Sequence, residues 1–107
     1  MDRLAQLLAF RDEDPEDSFV RFALASEYIK LGRDSDARVE FERLVADDPA
    51  YVGTYYHLGK LYERLEEVSH AREIYRAGIE EASRQSDLHA RAELQSALLE
   101  LDGFGYD

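Results

Sequence analysis

Apolar residues return every three or four positions through most of this chain. Phe22, Ala25, Tyr28 and Ile29 fall on one helical face, as do Phe41, Leu44 and Val45, and then Leu58, Leu61, Tyr62 and Leu65. That spacing is the 3.6-residue period of amphipathic helices. β-branched residues are few and nowhere alternate with polar ones over a strand's length, so no strand is predicted and the fold class reads as all-α. Punctuation separates the periodic stretches: Asp14-Pro15, Gly32 ahead of Asp34 and Ser35, Asp48-Pro49, Glu66-Glu67 ahead of Ser69, and Ser86-Asp87. Proline lacks an amide hydrogen and clashes with a preceding turn, so both prolines mark places where a helix has not yet begun. The predicted helices cover residues 2–11, 17–31, 35–47, 51–65, 69–83 and 87–101, with a flexible tail over 102–107.

Sliding the sequence against itself by 34 residues brings like onto like. Asp14-Pro15 meets Asp48-Pro49, Leu24 meets Leu58, Tyr28 meets Tyr62, Leu31 meets Leu65, and Phe41 meets Tyr75. Ser35, Ala37 and Arg38 meet Ser69, Ala71 and Arg72. A period of that length with two helices per unit, carrying an aromatic, Leu-Gly, Tyr, then Ala, an aromatic and Pro, is a repeat signature. Residues 52–83 supply Tyr55, Leu58-Gly59, Tyr62, Ala71 and Tyr75, and residues 18–49 supply Leu24-Ala25, Tyr28, Ala37, Phe41 and Pro49. Over most of its length the chain therefore resembles the tetratricopeptide repeat family. The resemblance implies a right-handed α-solenoid of helix-turn-helix repeats in one domain, 1–101. Its parts are two repeats, 18–49 and 52–83, between an N-terminal cap helix (2–11) and a C-terminal cap helix (87–101).

Small residues at Gly59, Ala25, Ala37 and Ala71 are expected where the helices of a repeat approach closely, small facing small, with large rings filling the wedges between repeats. Three positions depart from the family pattern. Arg21 stands where the first repeat should open on an aromatic, Ser83 replaces the proline that ends a repeat, and Leu44 takes a usually small position. In the N-terminal helix, Leu7 and Phe10 align with Phe41 and Leu44.

Composition narrows the function. The chain has 107 residues, 45% apolar and 35% charged, the balance of a globular domain. Lys and Arg number 13 against 24 Asp and Glu, a formal charge of −11 that would repel a phosphate backbone, so nucleic acid is not an expected partner. The absence of cysteine excludes disulfides, thiolate catalysis and cysteine-based metal sites. No run approaches the roughly 18 apolar residues of a membrane span. Met1-Asp2-Arg3-Leu4 does not lead into an apolar signal segment either, so no membrane association and a cytoplasmic location are expected. His57, His70 and His89 lie at spacings unsuited to a shared metal, and acidic runs such as Asp12-Glu13-Asp14 and Glu80-Glu81 stand at solvated helix ends. There is no phosphate-binding glycine loop, nucleophile elbow or His-Glu-x-x-His run. No catalytic residue, metal or cofactor is assigned, and the chain is not expected to be an enzyme.

The resemblance implies that the first helix of each repeat lines a concave groove holding a peptide segment of a protein partner, the role of a scaffold or adaptor. Projection of those helices puts Phe22, Ser26, Lys30, Tyr56, His57, Lys60, Arg64 and Arg91 on that face, with Phe19, Ala23 and Leu94 beside them. Lys30, Lys60, Arg64 and Arg91 would focus a locally positive potential attractive to a carboxylate or acidic peptide. Against this, they also read as ordinary solvated charges, with Lys30 and Arg64 complementing helix C-termini. Family members that clamp a peptide's terminal carboxylate use paired Lys and Asn. Here the corresponding positions carry Phe22, Ser26, His57 and Asp87, and only Arg91 is of the right type. The alternative is a homo-oligomer in which the caps, or Phe104 and Tyr106 of the tail, dock into a neighbour, since two repeats are fewer than the three usually needed.

Overall fold

The structure, a computed structural model, describes residues 2–103. It contains six α-helices, α1 Arg3–Glu13, α2 Ser18–Lys30, α3 Asp34–Asp47, α4 Gly53–Arg64, α5 Val68–Arg84 and α6 Leu88–Leu101, and no strand among the described residues. Their ends fall within two residues of those predicted from periodicity. The chain divides into two compact units, Met1–Tyr51 and Val52–Asp107.

In the first unit α2 packs against both α1 and α3. Asp2 and Asp17 cap α1 and α2, accepting from the amides of Ala5 at 2.7 Å and Val20 at 3.2 Å. Each carboxylate satisfies a donor that has no partner within its own helix. Leu7, Leu24, Ala25, Tyr28, Ala37, Phe41 and Leu44 are buried. Phe10, aligned in sequence with Leu44, is instead half exposed. Gly32 ends α2 at φ 75°, letting the Arg33 amide reach back to the Tyr28 carbonyl at 2.8 Å. This left-handed turn suits glycine because it has no Cβ to clash.

Arg21, the residue standing in for an aromatic, is only 9% exposed, and its guanidinium forms an ion pair with Asp47 at 3.0 Å. The long side chain occupies a buried site while its charge finds a partner at the end of α3, as the stem and head of an arginine allow. Arg11 makes a similar pair with the buried Glu40 at 3.2 Å, and Ser18 donates to Asp48 at 2.5 Å. Together with Arg43 these residues line a polar cleft of about 990 Å³.

In the second unit α5 packs against α4 and α6, and α4 also touches α6. Asp87 caps α6 through the Ala90 amide at 3.0 Å. Tyr55, Leu58, Leu61, Tyr62, Ala71, Tyr75, Ala82, Leu94 and Ala97 are buried. The close approach of α4 and α5 is not small against small, as expected from the sequence, but large into small. The Tyr75 ring from α5 lies on Gly59, where an added Cβ would stand 2.6 Å from Cζ and 2.7 Å from Cδ1. One turn further along α4, Glu63 accepts a short hydrogen bond from the Tyr75 hydroxyl. Burial, followed by that bond, raises the phenol pKa far above its usual value, so the proton stays on Tyr75. Glu66 ends α4 at φ 62°, with the Glu67 amide reaching the Tyr62 carbonyl at 2.9 Å, the same turn that Gly32 makes one repeat earlier. Asp102, placed in the loose tail by the sequence, donates its amide to Leu98 at 3.0 Å and pairs with Arg72 at 2.9 Å. Residues 104–107, and with them Phe104 and Tyr106, lie outside the described residues.

Candidate functional site

Each unit carries a shallow depression beside its first repeat helix. In the first unit, Phe19, Phe22, Ala23, Ser26, Glu27 and Lys30 of α2, with Arg3 of α1, line a space of about 300 Å³. The spacing of the α2 residues is a helical stripe, so one face of one helix supplies nearly the whole lining. Phe22 is held from behind by edge contact with Phe41 and a tilted contact with Tyr51, each at 5.9 Å between ring centres. Phe19 is 66% exposed. Lys30 has no ion-pair partner among the described residues, whereas Arg3 lies 3.9 Å from Glu27. The structure thus brings together Phe22, Ser26 and Lys30 as the sequence expects, and adds Arg3 and Glu27.

In the second unit a depression of about 410 Å³ is lined by Tyr56 and Lys60 of α4 and by His89, Ala92, Glu93, Ser96, Ala97 and Glu100 of α6. The Lys60 ammonium sits 5.5 Å from the centre of the Tyr56 ring and 3.6 Å from Glu63. It is held jointly by a π face and a carboxylate. His57 meets Tyr56 edge-on at 5.6 Å. Loss of hydration lowers the His57 pKa below the usual imidazole value, and the Glu93 carboxylate works in the opposite direction.

The last helix contributes differently from the sequence expectation. Arg91 does not line the depression. It stands two residues from both His89 and Glu93, about 200° around the helix. Leu94, expected on the groove face, is fully buried instead. Arg64 is exposed and outside the lining. In their place α6 presents Glu93 and Glu100, neither with an ion-pair partner among the described residues. A readable signal existed, since 89, 92, 93, 96, 97 and 100 follow helical spacing. Without the repeat motif, however, nothing in α6 told which stripe would face α4. The polar cleft around Arg21 was likewise missed, because the partners Asp47 and Glu40 lie on another helix at distances in sequence that no motif links. No group of three or more His, Asp or Glu among the described residues is arranged to hold a metal ion, and no described helix is long and apolar enough to cross a membrane.

Comparison with known proteins fits this architecture. A tetratricopeptide repeat domain protein from Salinibacter ruber, solved by NMR, is 49% identical, covers 88% of this chain and 95% of its own, and superposes with a TM-score of 0.82. The chain belongs to the tetratricopeptide repeat family. The crystal structure of the Salinibacter ruber domain gives the same identity with a TM-score of 0.78 over 81% of this chain and 98% of that one. The family's repeat profile matches residues 52–84, which are α4 and α5. A TPR repeat-containing protein of Pseudomonas aeruginosa is 28% identical over 87 residues, 81% of this chain and 83% of that protein. A protein of Bordetella parapertussis shares the fold at 22% identity, with a TM-score of 0.81 over 95% of this chain and 89% of its own. Tetratricopeptide repeat domains are general protein–protein interaction modules, and the helix-turn-helix repeats seen here are of that class.

Proposed function

We propose that this chain is a cytoplasmic adaptor or scaffold that holds a peptide segment of a protein partner, using the depressions on α2 and α4 as contact sites. In this reading α1 and α6 act as the N- and C-terminal caps of two repeats. Phe22, Ser26 and Lys30 make the contacts in one unit, and Tyr56, His57 and Lys60 make them in the other. The observation that carries the reading is the α2 stripe. An aromatic that is 66% exposed stands beside a second aromatic fixed by its neighbours, with an unpaired ammonium at the far end. Exposed aromatics with a polar rim are what binding surfaces use as anchors.

The test is selection of binders from a random peptide library, followed by titration of the selected peptides into wild type and two folded variants, Phe19→Ala/Lys30→Ala and Tyr56→Ala/Lys60→Ala. Affinity lost in either variant supports groove binding. Peptides that bind all three proteins equally, or a library that yields none, would overturn it, and a concentration-dependent melting temperature would then favour self-association.

A further inference from the structure

We propose that the α4–α6 depression of the second unit is a subsite for a cationic side chain, a lysine or arginine of the partner segment, the reverse of the positive groove expected from sequence. The proposal rests on the groove-binding reading and names the chemistry of one of its subsites. The depression, about 410 Å³, is lined along α6 by the small residues Ala92, Ser96 and Ala97 and is large enough to admit a long side chain. Tyr56 and Lys60 line it from α4, and Glu93 and Glu100 line it from α6. The chain itself shows how an ammonium is held here. Lys60 lies over the Tyr56 ring at 5.5 Å and against Glu63 at 3.6 Å.

Charge decides the sign of the ligand. Lys60 is matched by Glu63, whereas Glu93 and Glu100 have no ion-pair partner among the described residues, and the chain as a whole carries a formal charge of −11. Arg91, which would have offset them, is on another side of α6. A cationic side chain entering the depression meets two carboxylates that have no ion-pair partner among the described residues, which favours a guanidinium or ammonium. An incoming carboxylate would meet only an ammonium that is already engaged.

The experiment is an NMR titration of the full chain with N-acetyl-arginine amide and, separately, with N-acetyl-glutamate amide. Arginine is expected to shift the amides of Tyr56, Lys60, Glu93, Ser96 and Glu100 saturably, with weakening in high salt. The Glu93→Gln/Glu100→Gln variant should bind arginine about fivefold more weakly, in line with the modest worth of exposed charges. The Glu73→Gln/Glu80→Gln variant, carrying the same charge change elsewhere, should bind as wild type does. The proposal falls if the glutamate probe shifts these amides as strongly as arginine. It also falls if the two double variants behave alike, or if arginine leaves the amides unmoved. If it falls while selected peptides still lose affinity in the groove variants, groove binding stands and only the cationic subsite is wrong.

Discussion

Replacing Gly59 by alanine sets two opposed effects against each other. Gly59 is interior to α4, where alanine is favoured by about 1 kcal/mol on helix propensity alone. The added methyl, however, would enter the Tyr75 ring, 2.6 Å from Cζ and 2.7 Å from Cδ1. The ring has little freedom to retreat. Tyr75 is fully buried, and its hydroxyl is tied across the helix pair to Glu63, one turn beyond Gly59 on α4. Overpacking of this kind costs about 1–3 kcal/mol, and displacing the ring also risks a hydrogen bond to a charged acceptor, worth about 1.5–3 kcal/mol. The net expectation is destabilisation by about 1–3 kcal/mol, which for a domain of this size lowers the melting temperature by roughly 5–20 °C. Urea unfolding followed by circular dichroism measures it, with an unchanged slope and a lower midpoint. The companion measurement is the same substitution in a Tyr75→Leu background, where the methyl has room and the cost should shrink or reverse. If Gly59→Ala is more stable than wild type, or costs as much without the ring as with it, then Tyr75 is not what demands glycine.

Other expectations follow from single observations. Thr54 is fully buried and its hydroxyl has no hydrogen-bond partner among the described residues, so Thr54→Val should stabilise the chain by about 1 kcal/mol in urea unfolding. A destabilised variant would mean the hydroxyl is satisfied after all. Glu66 occupies the left-handed turn that Gly32 makes one repeat earlier, a conformation costing a side chain about 1–2 kcal/mol. Glu66→Gly should therefore gain about 0.5–1 kcal/mol after the entropy of the freer unfolded chain is subtracted, and a lower midpoint would refute it. His57 has a folded pKa below its unfolded value, so its contribution is fully present above about pH 6.5 and is lost as pH falls through the window below it. Over that window the melting temperature of wild type should drop more than that of His57→Gln, and parallel curves would count against the shift.

The sequence by itself determined the local structure. Helix positions follow from the period of apolar residues, and helix starts from carboxylates such as Asp17 and Asp87 that satisfy the free amides of the first turn. The repeat was legible because its two copies align residue for residue, and so was the α2 stripe of Phe22, Ser26 and Lys30, since a stripe on one helix depends only on helical spacing. Everything that required knowing how one helix meets another was decided by the tertiary structure. Which face of α6 turns toward α4 could not be read from a segment without the motif: Arg91 was expected on the groove face, whereas Glu93 and Glu100 line the depression beside α4. Gly59 was legible as a close approach, but that the approaching group is the Tyr75 ring, held by Glu63, depends on the relative rotation of two helices. Arg21 looked like a gap in the pattern until the fold brought Asp47 to its guanidinium. Periodicity fixes which side of a helix is apolar, but the polarity of a depression between helices depends on packing and rotation, which no single helix encodes.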